Sequence, residues 1–387
     1  MLVSNDMLSD PRVSRHAQTL GSRGFKVTVI CPRSASARQD EIRQGYEIHR
    51  SKNLIAEKLI ALEAKCRNSS ANPLRRQDYN WIKLAPLALI QTLITQLALM
   101  RTAKAQLAQI YCANDLDTLP GTILAAGLDR KVVYDSHELW PDMMLVPASI
   151  KTMARAVEKL LVRQTDLVMT VNEFIAQELA SRYSLQDRPQ VVYNCSNTNF
   201  HATPSVRNRK VKIVLYQGKY FSDRGLENLV RAADHLQPDI RLVLRGFGTI
   251  EQKLRSLAVG RPNVQFEQPV AAGALVSVAS EADVGIITYP PTNLNNYLAS
   301  PNKLFDYIQA GLSIAASNIP FMRKVILEND IGTLFDSRDP RSIAKALNQA
   351  TREKVLRRQR ANVVSVASKY SWKIESKKLL QAYASLE

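Results

Sequence analysis

The feature that most constrains the fold of this chain is a regular alternation between short apolar runs and longer amphipathic segments. The runs are rich in β-branched residues and predict strands, whereas the segments between them have the period of helices. In chain order, the predicted strands are 26–31, 109–112, 131–134, 167–170, 190–193, 211–216, 241–245, 264–267, 284–288, 313–316 and 333–335. Because strands that alternate with helices form parallel sheets covered on both faces, the sequence predicts an α/β architecture.

A polar stretch divides this alternation into two halves. Between Ser196 and Lys210, Asn, Ser, Thr, Pro and Arg replace the periodic apolar residues, which is typical of a linker. The length of 387 residues also suits two domains of about 150 residues each. We therefore predict two similar α/β domains that face each other. Their active site is expected in the cleft beyond the C-terminal ends of the strands.

Local signals predict where individual elements begin and end. Asp10 and Pro11 have the residue types of a helix cap and a first helical residue, for a helix that continues through Leu20. Asn172 is in the same way predicted to cap a later helix. The residues before Asp10 leave room only for a very short first strand, at 2–4.

The formal net charge of +17 predicts an anionic partner, and nucleic acid, anionic lipid and nucleotide substrates all qualify. The sequence has no zinc-finger spacing, RNA-recognition signature or basic tract interleaved with aromatic residues, so no nucleic-acid partner is predicted. The four cysteines lie far apart, and residues 1–10 lack the positive start and apolar stretch of a signal peptide. These features predict a cytoplasmic protein.

Residues 84–100 are uncharged, and their polar and leucine side chains fall on separate faces of a helix. From Arg50 to Ile110 there are ten Lys or Arg and three Asp or Glu. Such a helix can lie on an anionic membrane surface or pack inside the protein. Both alternatives stay open, and so does peripheral membrane association of the chain.

The loop at 216–225 joins a predicted strand to an amphipathic helix and carries two cations, Lys219 and Arg224, beside Gly218. The first turn of a helix offers free N–H groups and a partial positive charge, both of which attract anions. The loop therefore predicts a diphosphate site, and a solvated surface loop is the alternative.

A second segment, at 300–311, has the residue types of a short and sharply bounded helix. Ser300 is predicted to cap it, Pro301 to occupy its first turn, and a glycine follows its end. Lys303 and the free amides at its start suit a phosphate, and Asp306, one turn later, suits the hydroxyls of a ribose. A helix that serves only in packing is the alternative.

The third segment is the apolar strand at 132–134, which ends in Asp135, Ser136, His137 and Glu138. Catalytic residues are concentrated at the C-terminal ends of such strands. His137 is the histidine with this setting. His16 belongs to the first helix, and the other three histidines have no polar neighbours of interest in the sequence.

Together these stretches resemble the family 4 retaining glycosyltransferases, whose two Rossmann-like domains form the glycosyltransferase B-type fold around a nucleotide sugar. The resemblance lies in the order and spacing of 10–20, 134–138, 218–225 and 303–311 over nearly the whole chain. It implies residues 1–200 as an acceptor-binding domain and 201–369 as a donor-binding domain. Tyr370, Ser371 and Trp372 resemble the start of the final helices of the family, so 370–387 is expected to return to the first domain.

The resemblance also implies a role for each candidate residue. Catalytic roles fall to His137, facing the transferred sugar, and to Lys219 and Arg224, which hold the donor diphosphate. The other implied donor-binding residues are Gly218, Gly246, Ser300, Asn302, Lys303, Leu304 and Asp306. No cofactor is implied besides the nucleotide-sugar co-substrate, and no metal. Asp115 and Asp117 spell a metal motif of another glycosyltransferase fold, which we interpret as chance or as an acceptor contact.

The chain departs from the family pattern at three places. Many members have two glutamates eight positions apart, whereas this chain has Leu298 and Asp306. Asn295, Asn296 and Ser300 are therefore the candidates for replacing the first glutamate. The phosphate loop has Lys before Arg instead of the usual reverse order, and residues 4–7 replace a glycine-rich loop.

The function that this sequence predicts is a retaining, hexosyltransferase-type enzyme. It would move a sugar from a nucleotide-diphosphate donor to a glycan or lipid-linked acceptor in polysaccharide or glycoconjugate assembly. Two alternatives stay open. One is a non-hydrolysing sugar-nucleotide epimerase, which needs further carboxylates for proton abstraction. The other is a non-catalytic nucleotide-sugar-binding subunit of a glycosyltransferase complex.

Overall fold

The computed structural model describes residues 1–8, 10–34, 37–51, 93–143, 148–196 and 210–386. The strands of the first half are β1 Thr28–Pro32, β2 Asp40–Arg43, β3 Tyr46–Ser51, β4 Ile110–Asn114, β5 Lys131–Ser136, β6 Leu167–Thr170 and β7 Gln190–Val191. Those of the second half are β8 Lys212–Gln217, β9 Ile240–Arg245, β10 Val264–Glu267, β11 Val284–Ile287, β12 Ser313–Ser317 and β13 Gly332–Phe335.

The helices of the first half are α1 Pro11–Gly21, α2 at 93–104, α3 Leu119–Ala126, α4 Ala148–Val162 and α5 Glu173–Tyr183. Those of the second half are α6 Leu226–Ala232, α7 Glu251–Leu257, α8 Leu275–Ala279, α9 Leu294–Tyr297, α10 Asn302–Gln309, α11 Pro320–Asn329, α12 Pro340–Ala350, α13 Glu353–Val366 and α14 Trp372–Ala384. Short 3₁₀ turns lie at Trp140–Asp142, Ser222–Arg224, Ala233–His235 and Ala272–Ala274.

The second half contains a six-stranded parallel sheet in the order β10-β9-β8-β11-β12-β13. The first half contains the orders β2-β3-β1 and β4-β5-β6-β7. Leu2 bridges Ile30 and Ala113 in parallel, so the predicted short first strand joins these two groups into one layer. The predicted α/β architecture with two largely parallel sheets is confirmed.

Two strands were not predicted, β2 and β3, and the pair that they form is antiparallel. β2 lies at the edge of the sheet, where alternate residues face solvent, and its sequence Asp-Glu-Ile-Arg is mostly charged. A short polar edge strand has no apolar run, so its sequence carries little strand signal.

The predicted caps of two helices are confirmed. The Asp10 carboxylate accepts a hydrogen bond from the Val13 amide, and Asn172 accepts from the Phe174 and Ile175 amides. The prediction that Ser300 caps α10 is wrong, because Pro301 occupies the cap position without a side-chain bond. The hydroxyl of Ser300 instead contacts the first half of the chain.

The last helix, α14, packs on the first half of the chain. The indole N–H of Trp372 donates to the hydroxyl of Thr19 over 2.9 Å, and the Glu375 carboxylate accepts from the Tyr193 amide over 2.8 Å. Leu379 shares an apolar cluster with residues of β4, β5 and β6. The domain limits at 200 and 369 stay a prediction.

Among the described residues, no helix combines the length and hydropathy needed to cross a bilayer. Of the predicted amphipathic segment 84–100, residues 84–92 lie outside the described residues, as do most of the predicted linker and Cys66. Residues 93–100 are helical, as predicted. Cys31, Cys112 and Cys195 are buried free thiols.

Candidate active site

Two cavities lie between the two halves of the chain. The larger has a volume of about 640 Å³ and the smaller about 290 Å³. Both are lined by Asp10, Pro11 and Asn302, so they are neighbours along one cleft. Residues just past the ends of β5, β8 and β9 contribute to the lining, which agrees with the position predicted for the active site.

The larger cavity contains most of the predicted donor-binding residues. It is lined by Gly218, Lys219, Gly246, Asn302, Lys303 and Asp306. Two of these positions favour glycine, Gly218 because of its backbone conformation and Gly246 because a side chain would meet the backbone. A Cβ atom on Gly218, where φ is +146°, would lie 2.8 Å from the Lys303 ammonium nitrogen. A Cβ on Gly246 would lie 1.9 Å from the carbonyl oxygen of Gly218. The two glycines therefore let the backbone and Lys303 meet closely at the cavity wall.

Three of the predicted cations line these two cavities, and one of them, Arg224, is paired with the carboxylate of Asp223. Lys219 and Lys303 line the larger cavity and Arg224 lines the smaller one. The guanidinium of Arg224 lies over the ring of Tyr289, with 4.4 Å between its central carbon and the ring centroid. Within the described part of the chain, no carboxylate lies within ion-pair distance of Lys219 or Lys303. This arrangement leaves their positive charges available to an anion.

The ammonium of Lys303 titrates close to neutral pH. Burial and the nearby Arg224 guanidinium lower the pKa of Lys303 to about 8, against the attraction of Asp306 and Asp223. Burial also raises the pKa of the Asp306 carboxyl, which accepts a hydrogen bond from the Ser196 hydroxyl. Bound phosphate would stabilise the charged form of Lys303.

Sequence reasoning missed Arg15, which also lines the larger cavity. Its guanidinium donates to the side chain of Asn194, and burial lowers the pKa of Arg15 to about 10. Asp306 lies close enough to counteract that shift by its charge. The sequence signal that could have identified Arg15 was its place on the capped helix that begins at the cleft. Nothing local indicated that this arginine faces a ligand cavity.

Leu304 does not line either cavity. Its side chain is fully buried in the core of the second half, and its amide donates to the carbonyl oxygen of Pro301 over 3.0 Å. The amide that was predicted to assist the diphosphate is therefore used in the first turn of α10.

The smaller cavity is lined by His137, Glu138, Arg224 and Ser300, among others. His137 lies between two carboxylates: its Nε2 is 3.2 Å from Asp135 and its Nδ1 is 3.4 Å from Asp115. Burial opposes charge on the ring, but Asp115 and Asp135 together raise the pKa of His137 to about 9. The ring is therefore an imidazolium at neutral pH, and each of its two nitrogens faces a carboxylate.

Asp135 is held in turn by a buried arginine. The Arg12 guanidinium donates to both carboxylate oxygens of Asp135, over 2.9 and 2.6 Å, and to the carbonyl oxygen of Val192. His16 was predicted only as part of the first helix, yet its Nδ1 lies 3.4 Å from Asp135. His49 likewise has a polar neighbour, Asp40, at 2.5 Å. These partners are distant in sequence or belong to unpredicted strands, which explains why they were missed.

Asp115 has a backbone φ of +66°, in the left-handed region. Its carboxylate accepts from the His137 amide over 2.8 Å. Burial raises the pKa of the Asp115 carboxyl to about 7, although His137 opposes the shift. In the described ranges, no group of three or more His, Cys, Asp or Glu side chains is arranged to hold a metal ion.

Leu298, at the position of the missing glutamate, is buried in an apolar cluster of the first half that includes Leu116 and Leu139. Its carbonyl oxygen accepts from the Asn172 side chain over 2.8 Å. This position therefore connects the two halves of the chain instead of presenting a polar group to the cavity.

Two of the residues proposed as replacements, Asn295 and Ser300, also make contacts across the cleft. The Asn295 amide accepts from the Leu139 N–H over 2.8 Å and donates to Glu138 over 3.0 Å. Ser300 donates to the carbonyl oxygen of Val171 over 3.3 Å. Asn295, Asn296 and Ser300 all line the smaller cavity, but the polar groups of Asn295 and Ser300 are already used between the two halves.

Two family models match consecutive parts of this chain. The model described as Glycosyltransferase Family 4 matches residues 12–200, and Glycosyl transferases group 1 matches residues 198–364. Phosphatidyl-myo-inositol mannosyltransferase of Mycobacterium leprae (strain TN) is 24% identical over 225 residues, or 55% of this chain and 59% of that protein. The chain thus matches less than two thirds of the length of this relative.

Solved structures match the fold over nearly the whole chain. Sucrose-phosphate synthase from Thermosynechococcus elongatus has a TM-score of 0.74 at 17% identity, covering 100% of this chain and 98% of its own. Anabaena HepE, solved in complex with UDP and glucose, has a TM-score of 0.70 at 13% identity, covering 99% and 98%. These matches confirm the predicted fold, in which two Rossmann-like halves face each other.

Proposed function

This chain belongs to glycosyltransferase family 4, and from that premise we propose that it transfers a hexosyl group from a nucleoside-diphosphate sugar. The proposed acceptor is a glycan or a lipid-linked glycan in polysaccharide or glycoconjugate assembly. One observation carries the proposal. Lys219 and Lys303 line the larger cavity, Arg224 lines the neighbouring smaller one, and neither lysine has an ion-pair partner among the described residues.

The donor would lie along both cavities. Its diphosphate would occupy the junction between Lys219, Arg224 and Lys303, and its ribose would approach Asp306. The nucleoside would fill the rest of the larger cavity, beyond Gly246. The smaller cavity, at about 290 Å³, has room for one sugar residue beside His137.

The transfer would proceed on one face of the donor sugar. The bond from the anomeric carbon to the phosphate oxygen breaks, and the electron pair stays on the diphosphate, where Lys219 and Arg224 stabilise the growing charge. The acceptor hydroxyl then bonds to the anomeric carbon from the same face and gives its proton to the departing phosphate. The His137 ring, held in one orientation by Asp115 and Asp135, would lie beside the sugar in the smaller cavity.

A thermal-shift series with nucleoside diphosphates tests the donor site directly. A ligand present at 100 times its Kd stabilises the folded protein by about 2.7 kcal/mol, so at least one nucleoside diphosphate is expected to raise Tm. Inorganic phosphate at the same concentration serves as the control and should give a smaller rise. If no nucleoside diphosphate raises Tm above the phosphate control, the donor site is misassigned.

Product analysis then separates the proposed reaction from its alternatives. Transfer requires an acceptor and leaves the sugar configuration unchanged. A nucleotide sugar that is converted without an acceptor into its epimer would instead identify an epimerase. Binding without turnover over a panel of donors and acceptors would favour the non-catalytic subunit, for which the apolar residue at position 298 is the motivating observation.

Nucleotide binding should weaken as pH rises above about 8. The ammonium of Lys303 is charged below its lowered pKa of about 8, and phosphate binding requires that charge. We expect the Kd of a nucleoside diphosphate to stay level from pH 7 to 8 and then to increase by up to about tenfold per pH unit. Isothermal titration calorimetry from pH 7 to 9.5 measures this dependence.

Lys303→Met is the matched variant for this pH series. It should bind more weakly at pH 7 and should lose most of the increase in Kd above pH 8. A Kd that rises equally in the variant and the unchanged protein would assign the titration to another group.

We also propose that the protein works in the cytoplasm as a peripheral membrane protein. The net charge of +17 supports attraction to an anionic membrane surface. Fractionation of cells that produce the full chain tests it, since salt should release the protein from the membrane fraction.

A further inference from the structure

Three helices lie side by side over one face of the first sheet: α2, α3 and α4. A Cβ atom on Gly121 of α3 would lie 3.6 Å from the Met100 Cβ of α2, and α3 also contacts α4. Ile123 of α3 shares an apolar cluster with Ala154 of α4. We propose that the outer face of these three helices, the three-helix face, docks on the surface of an anionic lipid bilayer.

Each helix exposes large apolar side chains at helical spacing. Leu93 and Leu97 of α2 are 55% and 48% exposed, and Leu124 of α3 is 63% exposed. Leu128, in the loop directly after α3, is fully exposed. Side chains four residues apart lie on the same side of a helix, so Leu93 and Leu97 point outward together from the sheet.

The longest row belongs to α4. Ile150, Met153, Val157 and Leu160 follow each other at intervals of three or four residues, and Met153 and Leu160 are more than 60% exposed. The opposite side of α4 packs against the protein, since Ala154, Glu158 and Val162 are buried. The exposed row is therefore a second apolar surface on a well-packed helix.

This concentration of exposed apolar side chains is unusual for a surface in contact with water. Of the eighteen exposed large apolar side chains among the described residues, eight lie on these three helices or on the loop directly after α3. A group of apolar residues of this kind commonly marks a contact with a partner molecule or a membrane.

Charge identifies the partner as a bilayer. The three helices contain a single acidic residue, Glu158, which is fully buried and accepts hydrogen bonds from Tyr134 and Tyr183. Their basic residues at or near the surface include Arg101, Lys104, Lys151 and Lys159. Apolar side chains can enter the acyl boundary while the basic ones meet acidic headgroups. A second copy of the same face would bring like charges together.

The three-helix face is next to the proposed acceptor side of the cleft. Asp115 lies between β4 and α3, and His137 lies between β5 and α4. Docking by α3 and α4 would hold the opening of the smaller cavity near the bilayer, where a lipid-linked acceptor is found. The docking itself does not depend on the transfer reaction, so it can be tested without any substrate.

Co-sedimentation of the full chain with vesicles tests this inference. The protein should bind vesicles of equal parts phosphatidylglycerol and phosphatidylcholine at least tenfold more tightly than phosphatidylcholine alone, and added salt should weaken the binding. Met153→Ser combined with Leu160→Ser should weaken binding to the anionic vesicles by at least tenfold. Both residues are exposed, so the variant is expected to keep the Tm of the unchanged protein.

Two exposed apolar residues of the second half provide the matched control. Val259 and Leu327 are 79% and 57% exposed, and Val259→Ser with Leu327→Ser should leave vesicle binding unchanged. The inference is overturned if the unchanged protein fails to bind anionic vesicles, or if both double variants bind equally well. A dimeric protein that becomes monomeric in the Met153→Ser, Leu160→Ser double variant would also overturn the inference. In that case a second copy of the chain would cover the three-helix face.

Discussion

Replacement of both Lys219 and Arg224 by Ala is expected to lower kcat/KM for the donor by at least about 10³-fold. Each hydrogen bond from a charged donor to phosphate contributes about 1.5–3 kcal/mol to binding. The loss of one fixed donor that stabilises developing charge costs about 10²–10³ in kcat. The double variant loses both charges where the diphosphate departs, so donor affinity and turnover should fall together. Steady-state kinetics and calorimetry with the donor measure the two effects.

Lys253→Ala is the control for this pair. Lys253 lies in the same half of the chain, on α7, with an exposed ammonium that pairs with Glu227. Its loss should leave donor kinetics and Tm unchanged. If the Lys219 and Arg224 double variant keeps its donor affinity and turnover, the assignment of the diphosphate site is wrong.

The single variant Arg224→Lys separates charge from geometry. The planar guanidinium of Arg224 lies 4.4 Å from the centroid of the Tyr289 ring and donates to the Asp223 carboxylate, and these two contacts hold it in one orientation. A lysine keeps the charge but neither the stacking nor the paired donors. Its activity is therefore expected to fall between that of the unchanged protein and that of the alanine variant.

Much of the fold could be predicted because its signals are local. Asp10 and Asn172 have the residue types of helix caps, and the structure uses both as caps. The apolar runs at 167–170 and 264–267 are strands with the predicted limits. Such signals depend on neighbouring residues, so a single sequence contains them in full. The charged edge strand β2 lacks them, and it was missed.

The candidate site was predictable only in part. Lys219, Arg224, Lys303 and His137 line the cleft as the motifs indicated, since each follows a strand or opens a helix. Ser300 was assigned to the wrong position because Ser is a common cap, whereas here Pro301 takes that place. The position of Ser300 depends on contacts across the cleft, and these contacts join residues more than 100 positions apart in the sequence.

Leu298 shows why a departure from a motif is difficult to interpret from sequence alone. The absent carboxylate indicated a weakened sugar site. In the structure, however, Leu298 is only 8% exposed and packs beside Leu116 and Leu139 of the other half. Burial of a leucine side chain contributes about 1.5–3 kcal/mol, so this residue helps to hold the two halves together. An experiment that substitutes Leu298 to test the missing glutamate should therefore measure closure of the cleft as well as sugar binding.

Arg12→Met is expected to lower the free energy of unfolding by about 3–5 kcal/mol at pH 7, which is the usual cost of removing one partner of a buried ion pair. Arg12 and Asp135 are 2% and 0% exposed and form a bidentate pair. Without the guanidinium, Asp135 would be a buried carboxylate whose remaining positive neighbour is the His137 ring. Urea unfolding at pH 7 measures the difference, and Arg357→Met, at an exposed ion pair, should change it by less than about 0.5 kcal/mol.

The sign of the pH dependence distinguishes a lost ion pair from a lost packing contact. Burial opposes the charge of Asp135, but Arg12 and His137 hold the pKa of its carboxyl well below the usual range. This stabilisation is fully present above the unfolded pKa of about 3.9 and is lost as pH falls through the lower folded pKa. In Arg12→Met the pKa of Asp135 rises, so the stability difference from the unchanged protein should be largest near pH 7 and shrink toward pH 4. A difference that stays constant with pH would mean that Arg12 contributes through packing alone.

Asp135→Asn combined with Arg12→Met should cost less than the sum of the two single changes, because the double variant leaves neither charge buried without its partner.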